Sequence, residues 1–195
     1  MNLRRICLFC GSSEGRLPAY RERAVELGVR FAKEGIGLVY GGGRVGLMGA
    51  AADACLDAGG EVIGVIPQAI LDLEVAHEGL DDLRVVPTMH ERKQLMHDLS
   101  DGFIALPGGH GTLDELFETI TWLQLGYHGK PVALLDVAGY YEPLLAMLDR
   151  ALEEGFLTPE VRKLLMVEQA LEPLLERLRA WTEPDVHPWL ARHDL

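Results

Sequence analysis

Three turns rich in small residues have a composition that suits binding of a phosphate or a nucleotide. They are Gly11-Ser12-Ser13, Gly41-Gly42-Gly43 and Pro107-Gly108-Gly109, and each follows a short apolar run. Glycine lets backbone N–H groups approach a ligand closely, and a helix that follows adds the positive end of its dipole. Arg92 and Lys93 are among the few basic residues expected near these turns, where a phosphate would pair with them. The sequence therefore predicts an anion site built from several turns, although turn chemistry alone would also explain each glycine.

Two helix starts place a threonine three residues before a glutamate. Thr112 and Glu115 have the T-x-x-E spacing of a capping box, and so do Thr88 and Glu91. In a capping box the glutamate folds back to the first backbone amides of its own helix. Spacing alone therefore favours a structural role for both glutamates, most clearly for Glu91.

The middle turn also has the spacing of a dinucleotide-binding fingerprint. Gly41, Gly43 and Gly46 fit G-x-G-x-x-G between a predicted strand and a predicted helix. The fingerprint requires an acidic residue at the end of the next strand to hold the ribose hydroxyls. That strand ends in Val65-Ile66-Pro67 and has its one acid, Glu61, at the opposite end. An NAD-linked oxidoreductase is therefore disfavoured, and no glycine loop ends in the G-K-[ST] of a Walker A motif.

Other catalytic constellations are incomplete. His90 and Glu91 begin an H-E-x-x-H pattern, but Gln94 occupies the position of the second metal ligand. There is no G-x-S-x-G nucleophile elbow and no lysine motif of a pyridoxal phosphate site. Cys7 and Cys10 have C-x-x-C spacing, but they follow a strand-like pattern rather than a helix start, so we expect them to be structural.

Short apolar runs alternate with segments of helical period, which is typical of a parallel sheet with crossover helices. Strands are predicted at 5–10, 36–40, 61–66, 83–86, 103–106 and 131–135. Helices are predicted at 18–33, from the Gly41 turn to 59, and at 88–99, 111–125, 140–154, 159–165 and 172–182. The expected fold is α/β, a Rossmann-like, doubly wound, mainly parallel sheet with helices on both faces. Ligands should bind at the carboxyl ends of its strands.

Length and charge limit the classes of partner. The 195 residues predict a single nucleotide-binding domain at 1–182, followed by a C-terminal tail at 183–195. A net charge of −12 disfavours broad electrostatic binding to nucleic acid or to an anionic membrane. An odd number of cysteines, three, and the lack of a signal-peptide pattern lead us to expect a cytoplasmic location.

Two motifs in a fixed order carry a family resemblance. They are P-G-G-x-G-T-x-x-E at Pro107–Glu115 and Met89-x-x-Arg92-Lys93. With them the sequence resembles the Lonely guy family of cytokinin-activating phosphoribohydrolases, whose members were long labelled lysine decarboxylases. The resemblance spans about residues 6–156, including G-G-G-x-x-G-L-M-G at Gly41–Gly49 and I-T-W-x-Q-L-G at Ile120–Gly126. Nothing in the sequence supports a decarboxylase.

The resemblance implies hydrolysis of the N-glycosidic bond of a nucleoside 5'-monophosphate to free base and ribose 5-phosphate. The substrate would be AMP or an N6-modified AMP such as a cytokinin riboside monophosphate, and no metal or cofactor would be required. By motif position, Arg92 and Glu115 would be the catalytic pair. The expected substrate-binding residues are Glu74, Lys93, Gly109, His110, Gly111, Thr112 and Thr121, with Gly11, Ser12 and Gly43 from the other turns. The family also implies a homodimer, or an assembly of dimers, with the site near the subunit interface.

Several alternatives stay open at this point. Glu115 would stabilise oxocarbenium character on the ribose or orient a water molecule, and a glutamate used as a helix cap is less free to do either. Arg92 would hold the phosphate or stabilise the departing base. A non-catalytic nucleotide-binding protein on the same fold is the alternative function, because fold does not determine function. The preferred base and its N6 substituent are also undetermined.

Overall fold

The computed structural model describes residues 2–72 and 76–183, within which seven strands form one sheet. They are β1 Arg5–Phe9, β2 Gly37–Tyr40, β3 Val62–Pro67, β4 Asp82–Val86, β5 Gly102–Ala105, β6 Val132–Leu135 and β7 Leu165–Glu168. Their order across the sheet is β4-β3-β2-β1-β5-β6-β7, and every neighbouring pair is parallel. The predicted Rossmann-like, doubly wound α/β fold is confirmed.

Helices cover both faces of this sheet. They are α1 Pro18–Glu34, α2 Gly46–Asp57, α3 Gln68–Leu71, α4 Met89–Leu99, α5 His110–Gln124, α6 Glu142–Glu153, α7 Pro159–Arg162 and α8 Leu171–Ala180. Alternate strand residues point to opposite faces. Ile6 and Leu8 of β1 therefore pack with α1, α2 and α8, while Cys7 and Phe9 pack with α4, α5 and α6. No helix in the described ranges has both the length and the apolar character needed to cross a membrane.

The direction of chain winding reverses between β1 and β5. From β1 the chain builds β2, β3 and β4 on one side, and it then returns through α4 to place β5 on the other side of β1. At such a reversal the helices after the two central strands diverge to opposite faces, which leaves a crevice beyond the carboxyl ends of the strands. The turns that begin at Cys10 and Leu106 lie at this crevice.

The sequence prediction is wrong at the last strand. Residues 159–165 were expected to be helical, but α7 ends at Arg162 and Leu165–Glu168 forms β7 against β6. The run LLMVE is short and apolar, so its pattern suits a helix and a strand equally, and pairing with β6 decides between them. Residues 184–195 of the predicted tail lie outside the described residues, and the division at residue 182 stays a prediction. The three cysteines are free and buried, as expected.

A cluster of aromatic and histidine rings fills the space between α4, β5 and α5. The His97 ring lies 5.0 Å from Phe103, 5.4 Å from Trp122 and 4.5 Å from His128, measured between ring centroids. Burial lowers the pKa of His97 to about 4, and the nearby positive charge of Lys130 adds to this effect. His97 is therefore neutral in the folded protein near neutral pH.

We expect this buried histidine to make the protein less stable in mild acid. Because the pKa of folded His97 is about 4 and its ordinary value is 6.5, its stabilising contribution is present above pH 6.5 and is lost as the pH falls toward 4. The substitution His97→Phe keeps a ring in the cluster and removes the titrating group. The free energy of unfolding of this variant, from urea denaturation, should depend less steeply on pH between 6.5 and 4 than that of the wild type. Equal slopes would contradict the prediction.

Candidate active site

The three glycine-rich turns meet at the crevice between β1 and β5. The amide of Gly11 donates to the carbonyl of Pro107 at 3.0 Å, and the amide of Leu47, at the start of α2, donates to the carbonyl of Gly11 at 3.0 Å. Gly46 has a φ of +62°, and its Cα lies so close to the Ser12 backbone that a Cβ would overlap it. The turns predicted from sequence to share a ligand are therefore in direct contact.

The middle turn also contacts the loop after α3. Gly43 forms an antiparallel bridge with Ala76, and the amide of His77 donates to the carbonyl of Gly42 at 2.9 Å. Glu74, predicted to bind substrate, lies outside the described residues. Its role stays a prediction.

Arg92 and Glu115 form a largely buried ion pair beside these turns. Nη1 of Arg92 lies 3.0 Å from Oε1 of Glu115, and the two side chains are 14% and 11% exposed. Arg92 Nε also donates to the carbonyl of Val65 at 3.2 Å. That carbonyl is available because the pairing of β2 with β3 ends one residue earlier, at Tyr40 and Gly64. The guanidinium is thus fixed from α4 across to the end of β3.

Gly41 provides the space that the guanidinium occupies. A Cβ on Gly41 would overlap Nη2 of Arg92, so no other residue fits there while the arginine keeps this position. A glycine that the sequence pattern assigned to a dinucleotide fingerprint is required here by a side chain from another helix.

Glu115 is not a helix cap. Helix α5 begins at His110 with Gly109 as its N-cap, which places Thr112 and Glu115 inside the helix. Thr112 is 4% exposed and packs against Gly108, so its side chain serves packing instead of capping. The capping-box interpretation is therefore wrong for Glu115.

The predicted threonine cap at the start of α4 is present. Thr88 is the N-cap of α4, and its Oγ1 accepts from the amide of Glu91 at 3.2 Å. The same hydroxyl donates to the Glu91 carboxylate at 3.1 Å. Glu91 therefore has the local structural role that was expected from its spacing.

The environment of Glu115 alters its acidity. Burial raises the pKa of Glu115, while the positive charges of Arg92 and Lys93 act in the opposite direction. A carboxylate in a site largely closed to water, with one fixed charge partner, interacts strongly with any positive charge that develops next to it. Such perturbed acids cluster at functional sites.

Lys93 is held by two carboxylates of α5. Its Nζ lies 3.2 Å from Oδ2 of Asp114 and 2.8 Å from Oε2 of Glu118. Burial lowers the pKa of Lys93, but hydrogen bonds to Glu118 and Asp114 outweigh burial, so the pKa is raised. Lys93 is therefore charged near neutral pH, and it links α4 to α5 next to the Arg92 pair.

The first turn of α5 presents backbone amides to open space. Within residues 2–72 and 76–183, no acceptor contacts the amides of Gly109, His110, Gly111 and Thr112. Gly109 and Gly111 have no positive φ, and a Cβ on either would meet nothing within 4 Å. Neither strain nor packing therefore requires glycine at these two positions. Unpaired amides with free space before them at a helix N-terminus suit an anion.

A cavity of about 290 Å³ adjoins this helix start on the α1 side. It is bounded by Ser12, Ser13, Tyr20, Gly109 and Tyr140. Ser12, which was predicted to bind substrate, therefore lines a cavity next to the amides at the start of α5.

Thr121 lies away from Glu115 within one chain. Its side chain is exposed, and its hydroxyl donates to the carbonyl of Phe117 at 2.6 Å. Six residues of helix separate it from Glu115, which is about 9 Å along the axis and roughly 240° around it. The predicted contact of Thr121 with substrate stays a prediction.

Two tyrosines at the site were missed in the sequence. The hydroxyl of Tyr140 donates to the carbonyl of Gly108 at 2.5 Å, and that of Tyr141 donates to the carbonyl of Leu106 at 2.6 Å. A helix was predicted from residue 140, but α6 begins at Glu142, so both tyrosines lie in the turn after β6. Pro143 was the available signal for the later start of α6, because proline is favoured in the first turn of a helix, but it gives no indication of the bonds that the tyrosines make.

We expect glycine substitutions in the Pro107 turn and in the first turn of α5 to separate stability from anion binding. Gly111→Ala should keep or slightly raise the melting temperature, since alanine favours a helix over glycine by about 0.5–1 kcal/mol. It should weaken binding of inorganic phosphate and AMP by about fivefold or more, because the methyl group enters the space before the amides.

Gly108→Ala is the matched comparison. Its Cβ would overlap Thr112 and the amide of Gly11, so it should lower the melting temperature by overpacking at a cost of about 1–3 kcal/mol. Thermal unfolding and isothermal titration calorimetry measure both quantities. Unchanged affinity in Gly111→Ala would contradict an anion site at these amides.

Comparison with known proteins adds independent findings. A family model described as "Possible lysine decarboxylase" matches residues 48–178. The chain is 48% identical to the cytokinin riboside 5'-monophosphate phosphoribohydrolase LOG3 of Arabidopsis thaliana, over 91% of this chain and 83% of that protein. It is 49% identical to the probable cytokinin riboside 5'-monophosphate phosphoribohydrolase LOGL6 of Oryza sativa subsp. japonica, over 92% of this chain and 72% of that protein.

Solved structures share the fold at lower identity. The molybdenum cofactor binding protein of Rippkaea orientalis superposes with a TM-score of 0.70 and 24% identity, over 92% of this chain and 98% of that one. The Moco carrier protein of Chlamydomonas reinhardtii gives a TM-score of 0.67 and 22% identity, over 92% and 99% of the two chains. At this identity the likeness concerns the fold alone.

Proposed function

Because this chain belongs to the Lonely guy family of phosphoribohydrolases, we propose that it hydrolyses the N-glycosidic bond of a nucleoside 5'-monophosphate. The products are a free base and ribose 5-phosphate. Curated relatives named for this activity are 48–49% identical over more than nine tenths of the chain. The structural observation that carries the proposal is the Arg92–Glu115 pair, fixed one helical turn from the unpaired amides of α5.

Glu115 is suited to the chemistry at the ribose. When the bond from C1' to the base nitrogen breaks, positive charge develops on the ribose ring, and a nearby carboxylate stabilises that charge. Glu115 also accepts a proton from the attacking water as the water oxygen bonds to C1' and the bond from C1' to the base nitrogen breaks. This proton is then passed to the departing base, which returns Glu115 to its carboxylate form. The raised pKa caused by burial makes this carboxylate a better proton acceptor than an exposed glutamate.

The amides at the start of α5 are suited to the 5'-phosphate. Gly109, His110, Gly111 and Thr112 would donate to its oxygens, as expected from sequence, with Gly11, Ser12 and Gly43 contributing from the neighbouring turns. The phosphate then lies at the helix N-terminus and the ribose lies over Glu115, one turn further along α5.

Arg92 is suited to the base side of the bond more than to the phosphate. Its guanidinium pairs with Glu115, donates to the Val65 carbonyl of β3 and lies against Gly41 after β2, whereas the proposed phosphate amides are at the start of α5. In this position it holds the Glu115 carboxylate in place and provides a positive charge next to the departing base. Lys93 acts through its ion pairs with Asp114 and Glu118, which fix α4 against α5.

The description of the matching family model is not supported by the chemistry of the site. Amino-acid decarboxylases with pyridoxal phosphate bind the cofactor through a lysine amine. Lys93 is the lysine beside the turns, and its two carboxylate partners raise its pKa and keep it protonated. A protonated ammonium is not a nucleophile.

We extend the proposal to the oligomeric state of the protein and to its location. Met89 on α4 and Phe117 on α5 are large apolar side chains near the site that are 44% and 37% exposed. We propose that the α4–α5 surface, defined by Met89, Phe117 and Thr121, is covered by a second copy in a homodimer. This would bring Thr121 toward the partner's site. Three free, buried cysteines support a cytoplasmic location.

The direct test of the function is release of base. Purified protein should convert AMP or an N6-substituted AMP to free base and ribose 5-phosphate, and chromatography measures the base released. It should act poorly on adenosine, which lacks the phosphate. If no nucleotide in a broad panel yields base while AMP still raises the melting temperature, the protein is a non-catalytic nucleotide binder.

Substitution of the proposed catalytic carboxylate sharpens this test. Glu115→Gln should lower kcat by roughly a hundredfold or more, because loss of general acid–base catalysis typically costs this much, and AMP binding should remain. Glu91→Gln is the control, since Glu91 caps α4 and glutamine can replace it in that role. Similar kcat values for Glu115→Gln and the wild type would exclude Glu115 from the reaction.

The proposed dimer predicts a change in mass. Light scattering should give twice the chain mass of 21.5 kDa for the wild type. Phe117→Lys should shift the protein toward the monomer, because burial of a charge in an apolar interface is unfavourable. Base release should fall together with dimer content if Thr121 serves the partner's site. A monomeric wild type with full activity would refute this part of the proposal.

A further inference from the structure

Three consecutive carbonyls of the turn before α5 each accept a hydrogen bond from outside the turn. The Leu106 carbonyl accepts from the Tyr141 hydroxyl at 2.6 Å, and the Pro107 carbonyl accepts from the Gly11 amide at 3.0 Å. The Gly108 carbonyl accepts from the Tyr140 hydroxyl at 2.5 Å. The entry to α5 is therefore held through these three acceptors, while the amides of Gly108 and Gly109 have no acceptor among the described residues.

The direction of a carbonyl determines the direction of the next amide. In a trans peptide the C=O of one residue and the N–H of the following residue point in opposite directions. The bond from Tyr140 to Gly108 therefore directs the N–H of Gly109 away from Tyr140. The peptide plane between Gly108 and Gly109 joins the turn to the N-terminus of α5, whose first amides have no acceptor among the described residues.

The two tyrosines are themselves fixed by the turn after β6. Asp136 is 3% exposed, and its carboxylate accepts from the Tyr141 amide at 2.8 Å. The Tyr140 ring packs edge-on against Tyr20 of α1, with 5.8 Å between ring centroids. Tyr140 is still 41% exposed and borders the 290 Å³ cavity, so its hydroxyl is held at the surface of the site.

Loss of the hydrogen bond from Tyr140 would leave the peptide between Gly108 and Gly109 free to rotate. Glycine crosses between backbone conformations at little steric cost, so an unheld Gly108–Gly109 peptide could turn its carbonyl toward the anion site. A carbonyl oxygen facing a phosphate would repel it, whereas the amide attracts it.

We propose that Tyr140 is a positioning residue for phosphate recognition: its hydroxyl holds the Gly108 carbonyl so that the Gly109 amide and the α5 N-terminus face the phosphate of the substrate. This inference rests on the proposed nucleotide hydrolase function, and it adds a residue from the turn after β6 to the machinery of that site. The role is indirect, because Tyr140 acts through the backbone that it orients.

The test compares phosphate-bearing and phosphate-free ligands by isothermal titration calorimetry. Tyr140→Phe keeps the ring and its packing against Tyr20, and it removes only the hydroxyl. Its Kd for ribose 5-phosphate should rise about five- to tenfold, as expected for loss of one hydrogen bond, while its Kd for adenosine should stay within about twofold of the wild type. In turnover of AMP, KM should rise by the same factor with kcat nearly unchanged.

The control and the contrary outcomes separate this inference from the function itself. Tyr127→Phe removes a hydroxyl from a 77% exposed ring away from the turn and should change neither Kd. An unchanged Kd for ribose 5-phosphate in Tyr140→Phe overturns the inference even if the wild type releases base. Equal weakening of ribose 5-phosphate and adenosine, with a lower melting temperature, also overturns it because the role is then structural. If the wild type binds ribose 5-phosphate but hydrolyses no nucleotide, the proposed function fails, and the calorimetric comparison still decides the role of Tyr140.

Discussion

The buried ion pair between Arg92 and Glu115 is the interaction on which the rest of the site depends. Removing two charges from water is costly, and an isolated partner left in such a place destabilises a protein by about 3–5 kcal/mol. The structure meets this cost with further contacts: the Val65 carbonyl accepts from the guanidinium, and Gly41 leaves room for it. Strand lengths, a glycine and two helices are thus all arranged around one pair of charges. Replacement by apolar residues would be the simpler way to stabilise this position, so the pair indicates chemistry.

The winding of the sheet explains why these groups meet. The reversal between β1 and β5 sends α1 and α5 to opposite faces, and the turns that lead into them remain in contact through Gly11 and Pro107. One side of this contact has the charge pair, and the other side has the cavity bordered by Tyr140. The likeness to molybdenum cofactor proteins shows that this frame is shared more widely than any single activity. What distinguishes the present chain is the set of side chains placed at the crevice.

Features that depend on a local sequence pattern could be predicted, whereas features that depend on tertiary contacts could not. The parallel sheet was predictable because each strand is a continuous apolar run, and the glycine turns were recognisable because they follow those runs. β7 was not, since LLMVE suits a helix or a strand until β6 lies beside it. Glu115 was misread as a cap from spacing, and only the family motif indicated its pairing with Arg92, which is 23 positions away in the sequence. Tyr140 had no signal of its own, because its partner is a backbone carbonyl that no side-chain pattern reveals.

The close approach of Gly41 to Arg92 has a consequence for how such proteins can diverge. A side chain at position 41 would overlap the guanidinium of Arg92 where it now lies, so any residue larger than glycine there requires the guanidinium to move. A lineage that needs the guanidinium in this position is therefore restricted to glycine at position 41. A lineage that gives up the arginine loses this restriction at position 41. Glycine at position 41 can therefore serve as a marker of retained chemistry when related chains on this fold are sorted, and a larger residue there should identify descendants whose crevice serves another purpose.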